Sequence, residues 1–598
     1  MGSPRIVILC AAVIVSLPLF AAAQSPGSVT PAAATKSRDW KRLQVPDLLV
    51  VGNARAEDLR RTAEEIERFR ATIRVLVPRL PMTSPVPTVA VVFRDDNAFR
   101  PFKPRVRGKP SDNVAAYFAA SPDINYIVLA PSTNREFTYR VIFHEYTHFL
   151  VNRSSPRLPR WLNEGLAEFY STFNGSYQDS RSVIGGPIAG HSAILRQVGG
   201  LVPLKKFLDP NALAELQRDE TTTRRFYAES WALTHYLLLG DNGAHQLKLR
   251  EYMAALQTGE ATDRAFTRIF GENLDPLETG LRRHIDNVML PVLWLRALDA
   301  NITAAVAPMA EVDALQVQAD LLLRHGAYDE AQKPLERALT LDPQHVPSRL
   351  SRARSLIATD QLDAALEILS APDLEAATDF PTTFLRAEAL REAKRYDDSI
   401  GAYEGAITAH RYSAPAYYGL TISQLALGSP KAVVSFSRCL AIRPDATWFM
   451  SRLYDAQRIG RDDYAIADAT SYVQQEGWRN SSSPYVMYVA ALAAMRQQKR
   501  ERVNELLDEI SPNVDAKSWQ ATIVEYLRGR LAIEMFLKKA DPEELLTEAH
   551  TYIGIKAHID GDRQTALLHL QWVRDKGLRN YTEYGLALGE LDRIEQEK

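Results

Sequence analysis

The sequence predicts an α+β domain followed by an all-α array of paired helices. Three observations carry this. Short β-prone runs with an intervening helical pattern fill residues 45–130. Two consecutive helical stretches follow, the first holding His144-Glu145-Tyr146-Thr147-His148. From about residue 305 the texture turns alanine- and leucine-rich, with a frame that recurs. A chain of 598 residues requires at least two cores.

At the start, Arg5 precedes an apolar run from Ile6 to Phe20, and Ala21-Ala22-Ala23 offers small residues for cleavage. The run is short for a membrane span and contains Pro18, so residues 1–23 are expected to be a signal peptide. Residues 24–38, rich in Ser, Pro, Ala and Thr, are the expected flexible linker. Cys10 lies in the leader, which leaves Cys439 alone and excludes an intramolecular disulfide. The expected location is therefore outside the cytoplasm, in a bacterial periplasm or the medium. The mature chain has no other run long enough to span a bilayer. With 46% hydrophobic and 24% charged residues the composition is that of a soluble protein. A net charge of -2 gives no electrostatic reason to expect nucleic acid or an anionic membrane as partner.

Val45 to Gly52 reads as one buried strand, with Pro46 at its start. Residues 56–79 carry Leu59, Ala63, Ile66, Phe69, Ile73 and Leu76 at helical spacing, and Pro87 to Phe93 is a second strand. Pro101 to Pro110 is a basic, proline-bearing loop, and two more short strands fall between Val114 and Ala130. Thr133 and Glu136 make a capping box for the histidine helix, which should end near Asn152. Pro159 suits the first turn of the next helix, Trp161 to Phe173. Residues 174–190, glycine-rich and polar, read as a mobile loop. A further helix is expected from Thr223 to Leu239, stopped by Gly240.

In the second half, Tyr328-Asp329-Glu330-Ala331 with Leu335, Ala338 and Pro343 sets the frame. It returns thirty-four residues on at Leu362, and again at Tyr396 with Tyr403 and Ala406. Looser copies centre on Ala432 (with Phe436 and Cys439), Ala467 and Ala566. Small residues at fixed places let paired helices approach closely. The period and anchors resemble tetratricopeptide repeats over residues 305–598, strongly for three copies and weakly between 480 and 560. Such arrays form a curved solenoid whose groove takes peptides or protein partners.

Two histidines four apart lie on one helix face and can share a metal ion. Glu145 beside them can serve as a base, and Glu164 and Glu168 are rival third ligands. Together with Trp161-Leu162-Asn163-Glu164-Gly165-Leu166-Ala167-Glu168, the motif resembles the gluzincins, the thermolysin and aminopeptidase N branch of zinc peptidases. It is most similar to exported bacterial proteins with a peptidase MA-like unit. The resemblance implies a zincin-like metallopeptidase domain at 39–292 binding one Zn2+ through His144, His148 and Glu164. It implies Glu145 as general base and acid, and Glu168 as support behind a ligand histidine. For the oxyanion donor it offers Tyr227, or His235 two turns on. Only fifteen residues separate His148 from Glu164, a tighter joint than in thermolysin. The Gly-x-Met-Glu-Asn amine anchor of the aminopeptidases is missing between residues 100 and 140, which favours an endopeptidase. The expected substrate is a peptide or protein, with a protein partner for the repeat groove. The alternative is a non-catalytic cell-envelope scaffold on a retained metal-binding fold.

Overall fold

Each long strand of the central sheet carries apolar residues on both faces, so both faces must be covered. The computed structural model describes residues 39–597 apart from 79–85, 107–108, 112–113, 132–134, 155–157, 178–180, 197–199, 210–211, 213–215, 218, 258–259, 261, 288, 301, 459–461, 463, 479, 542–544 and 579–580. The expected leader and linker, and Thr133 of the expected capping box, lie outside the described residues. Packing divides the chain into two units. One holds residues up to 205 together with Leu216–Ser423, and the other holds 206–215 with the chain from Gln424.

In the first unit, β1 (Lys41–Val45) and β2 (Leu48–Gly52) form an antiparallel hairpin. The single strand expected over 45–52 is thus only the second arm. Pro46 and Asp47 make the turn, with Asp47 at φ 57, a conformation aspartate tolerates. Helix α1 (Ala56–Leu76) leads to β3 (Thr88–Val92), then β4 (Ala116–Ala119) and β5 (Asn125–Leu129). Strands β2, β3 and β5 run parallel, and β4 pairs antiparallel with β5 as the outer strand. At the other side β9 (Ala307–Pro308) pairs antiparallel with β1.

Side chains alternate across this sheet. Val50, Ala90 and Ile127 face a core shared with Leu59, Ile66 and Phe69 of α1 and with Phe143, Tyr146 and Leu150 of α2 (Arg135–Ser154). Val51, Val91 and Val128 face the opposite core, filled by Ala314, Val317 and Leu321 of α6 (Glu311–Arg324). Packing therefore does not break at residue 305. The helix that begins the repeat-like half is the second cover of the sheet. Ion pairs tie the same parts together: Asp123 meets Arg324 and Arg354, and Asp320 accepts from Arg324 and from the Tyr126 hydroxyl.

After α2 come α3 (Arg160–Ser171), β6 (Asn174–Tyr177), β7 (Arg181–Ile184), α4 (Ala189–Arg196) and α5 (Glu220–Leu239). The stretch read as a mobile loop is therefore mostly structured: β6 and β7 pair with each other, and β7 pairs with β8 (Leu293–Arg296). Glycines and polar residues masked its strand character, because this small sheet gains its partner from more than a hundred residues downstream. Helix α5 starts from a capping box of Asp219 and Thr222 and ends at Gly240, against the ring of Tyr236.

Helical hairpins follow at the expected interval: Glu311–Arg324 with Tyr328–Leu341, Val346–Ala358 with Leu362–Leu369, and Phe380–Glu392 with Tyr396–Ala409. Ala331, Leu335, Ala338, Ala365, Leu369, Tyr403 and Ala406 are fully buried. Tyr403 packs where Gly419 leaves room for its ring. In the second unit hairpins continue through Arg563–Lys576, and Thr582–Gln596 closes the array. In the copy centred on Ala467 the buried small residues are Ala465 and Ala469, while Ala467 faces outward. The region 480–560, weak in sequence, is helical as well. Among the described residues no helix is long and apolar enough to cross a membrane.

The Arg324 and Arg354 charges hold the Asp123 carboxyl below its ordinary pKa against the opposing effect of burial. A lowered carboxylate pKa stabilises the fold above the unfolded value, and that contribution is lost as pH falls through the folded one. Asp123→Ala should cost about 2–3 kcal/mol at pH 7, since it leaves the Arg324 and Arg354 guanidinium groups to share Asp320 alone. Urea unfolding at pH 7 and at pH 3 checks this: the gap between wild type and variant should shrink in acid.

Candidate metal centre

Helix α2 presents His144 and His148 on the side away from Phe143, Tyr146 and Leu150, so core packing holds the helix that carries them. Helix α3 packs against α2 and brings Glu164 opposite the two rings. Nε2 of His148 lies 3.1 Å from Nε2 of His144 and 3.1 Å from Oε2 of Glu164. The His144 Nε2 to Glu164 Oε2 distance is 3.7 Å. One tetrahedral zinc, with bonds near 2.1 Å, holds its donors about 3.4 Å apart. The three donors therefore fit a single ion, and Oε2 of Glu164 is buried with no hydrogen-bond partner of its own.

Of the rival acids, Glu164 joins this cluster. Glu168 stands behind it, with Oε1 3.6 Å from Nδ1 of His144, the nitrogen turned away from His148. The equivalent nitrogen of His148 donates to Oδ1 of Asn163 at 2.9 Å, and the Asn163 amide donates in turn to Asn152 at 2.7 Å. That chain fixes the His148 tautomer, because the Asn163 carbonyl oxygen can only accept. Its Nε2 is left with a lone pair facing the cluster. Asn163 was not singled out from sequence, although it sits beside Glu164 in an Asn-Glu-Gly triplet. His191 of α4 was missed too, because it directly follows the stretch read as loop and no helix was expected there; its Nε2 is 3.4 Å from Oε2 of Glu168.

Charge in the pocket is strongly biased. Burial lowers the pKa of His144, but Glu168, Glu164 and Glu145 around it raise it to about 9. Burial opposes ionisation of Glu164, and contact with His144 and His148 nonetheless holds it far below the usual carboxylate range. Glu168 is held down at about 2 against its burial, by His191 and His144. Burial raises the Glu145 carboxyl above its ordinary value, helped by Glu164 and Glu168 and opposed by the two histidines. Three carboxyls around two imidazoles make a place that attracts a cation.

Tyr227 of α5 belongs to the site: its hydroxyl donates to Oε1 of Glu164 at 3.4 Å. Burial, then the Glu164 charge, push that phenol well above its ordinary pKa, so it stays a donor. Arg160 also approaches Glu164, with Nε 3.8 Å from Oε1. His235, the other candidate donor, is not brought to this cluster. Burial lowers its pKa to about 4, and it is fully buried with both nitrogens engaged. Nε2 donates to the Gly185 carbonyl at 2.8 Å, leaving Nδ1 to accept from His284 at 2.8 Å. Facing the same way along a helix was insufficient, since two turns carry His235 beyond the cluster to the end of β7.

Residues 140–252 match a family model described as a protein of unknown function (DUF1570), a span that includes the three clustered residues and Tyr227. Residues 322–382 match a tetratricopeptide-repeat model, and this part of the chain is a repeat region of that kind. No curated protein matches the chain. Among solved structures the chain is similar to a thermophilic tetratricopeptide-repeat protein of Thermus thermophilus, at 19% identity and a TM-score of 0.25, over 31% of this chain and 99% of that one.

Gly165 sets the distance between α3 and α5: a methyl group there would overlap Thr234 Oγ1 and the Ser230 carbonyl. Gly165→Ala should therefore push the helices apart, lowering stability by about 1–3 kcal/mol. Thermal melts of the wild type and variant would show it, and a variant within a few tenths of a kcal/mol would refute the close approach.

Proposed function

We propose that this chain is a zinc-dependent peptidase of the zincin type, an endopeptidase acting on extended polypeptides outside the cytoplasm. The observation that carries the reading is the cluster of His144, His148 and Glu164 with the Glu145 carboxyl one residue from a ligand. When bound there, zinc would lower the pKa of water and polarise a carbonyl. The chain's own residues supply the rest. Glu145, whose pKa burial raises above its ordinary value, takes a proton from the attacking water and passes it to the leaving amine. Tyr227, held protonated, offers its hydroxyl to the oxygen that becomes negative. Asn163 occupies the outer nitrogen of His148, and Glu168 faces that of His144 at 3.6 Å, so both rings turn Nε2 inward.

Substrate class is suggested by the sheet. Strand β4 is its outer strand, and Phe118 of β4 packs against Tyr146 and Phe149 of the metal helix. An extended backbone added to the β4 edge would run alongside that helix. The repeat region is proposed to bind a protein, either the substrate or a partner, as tetratricopeptide arrays commonly do.

Zinc titration followed by cleavage of a casein or peptide library tests the whole reading. Wild type should bind one zinc ion, and Glu145→Gln should keep that ion while kcat/KM falls about 10²–10⁴-fold. Stoichiometric zinc with no cleavage by wild type would favour a scaffold instead. Tyr227→Phe should lower kcat about 10²-fold at nearly constant KM, with zinc retained, if its hydroxyl acts on the transition state. Unchanged kcat would return Tyr227 to a packing role.

A further inference from the structure

We infer that His191 is a positioning residue of the metal centre, the outer end of a line running His191, Glu168, His144. The inference rests on the metal reading above and adds a residue that neither the motif nor its resemblance assigns. Glu168 is 1% exposed, and its two oxygens point in different directions. Oε1 lies 3.6 Å from His144 Nδ1, and Oε2 lies 3.4 Å from His191 Nε2. His144 Nδ1, Glu168 Oε1 and His191 Nε2 are all buried without a hydrogen-bond partner, yet each histidine nitrogen faces one oxygen of Glu168 at slightly more than hydrogen-bond length. Three orphaned polar atoms in a row would be costly unless a small closure pairs them. Drawing His144 onto an ion at its Nε2 face sets the ring whose other nitrogen meets Glu168. A carboxylate this deep then needs a donor on its second oxygen, and His191 is the imidazole facing it.

The way His191 is delivered argues against accidental packing. Its helix α4 follows β7, and the ring sits against Trp231 of α5 at a centroid distance of 5.9 Å. Arg196, at the far end of α4, donates to the Ile285 carbonyl and so fastens the other end of the helix. The segment read from sequence as a mobile loop thus leads directly into the helix that contributes one side chain to the metal centre. That side chain steadies the carboxylate that steadies a ligand. Losing such outer partners commonly weakens metal binding about 10–100-fold.

The test is zinc affinity of the full chain, measured by competition with a chromophoric chelator, for wild type, His191→Ala, His191→Gln, Glu168→Ala and the double variant His191→Ala/Glu168→Ala. Thermal midpoints of the zinc-free proteins are taken alongside. His191→Ala should bind zinc about tenfold more weakly with a nearly unchanged zinc-free midpoint. His191→Gln, whose amide can donate to Glu168, should recover most of the loss. The double variant should bind no more weakly than Glu168→Ala alone, because the two act in series. Zinc affinity of His191→Ala within twofold of wild type overturns the inference, as does a loss that Gln fails to rescue and that tracks a lowered zinc-free midpoint. If wild type itself binds no zinc, the underlying metal reading fails as well. That result differs visibly from wild-type binding that His191→Ala leaves intact.

Discussion

At Gly165 the backbones of α3 and α5 come so close that no methyl group fits between them. Much of the candidate site depends on this approach. It lets the Tyr227 hydroxyl on α5 reach Glu164 on α3, one residue before the glycine. It also sets α3 at the depth where Glu164 meets both histidines of α2. The glycine of the Asn-Glu-Gly triplet is thus a packing requirement, while the asparagine holds a ring and the glutamate completes the cluster.

Burial at this point has an electrostatic consequence. His144, Glu164 and Glu168 are almost wholly removed from water, where an isolated charge would be expensive. Each lies against opposite partners that favour its charged form over the cost of burial. The arrangement is stable with a proton on His144 and has the donor set for a divalent cation in its place. Rigidity comes from the sheet beneath. Its strands are apolar on both faces, so one face takes α1 and α2 and the other takes α6. The repeat region therefore begins as structural cover for the sheet. Its first helices are joined to the sheet by apolar packing and by the Asp123, Arg324 and Arg354 ion pairs.

Sequence and structure parted where pairing partners are distant. The run at 45–52 reads as one strand because Leu48 to Val51 are apolar and Pro46 suits a strand start, and the turn at Pro46-Asp47 is legible only as a hairpin with residues 41–45. Residues 174–190 carry glycines and polar side chains that suggest a loop, but β7 finds Leu293–Arg296 and becomes the centre of a small sheet. His191 and Asn163 escaped notice for a related reason: neither spacing nor residue type shows which nitrogen of a remote ring will need a partner. His235 was misplaced because helical phase reports direction and carries no information on depth.

By itself the sequence determined what is local and periodic. The i, i+4 histidines, the helix that carries them, the thirty-four-residue frame and its small buried anchors all follow from helix geometry and side-chain size. It also supplied a short roll of acids near the histidines, among which the family resemblance favoured Glu164 as ligand and Glu168 as its support. Only the tertiary structure decided that Glu164 and not Glu168 meets both Nε2 atoms, and that Tyr227 and not His235 stands beside it. These choices turn on distances of an ångström or two between segments far apart in the chain. Such distances are set by how closely α2, α3 and α5 can pack, which no single segment encodes.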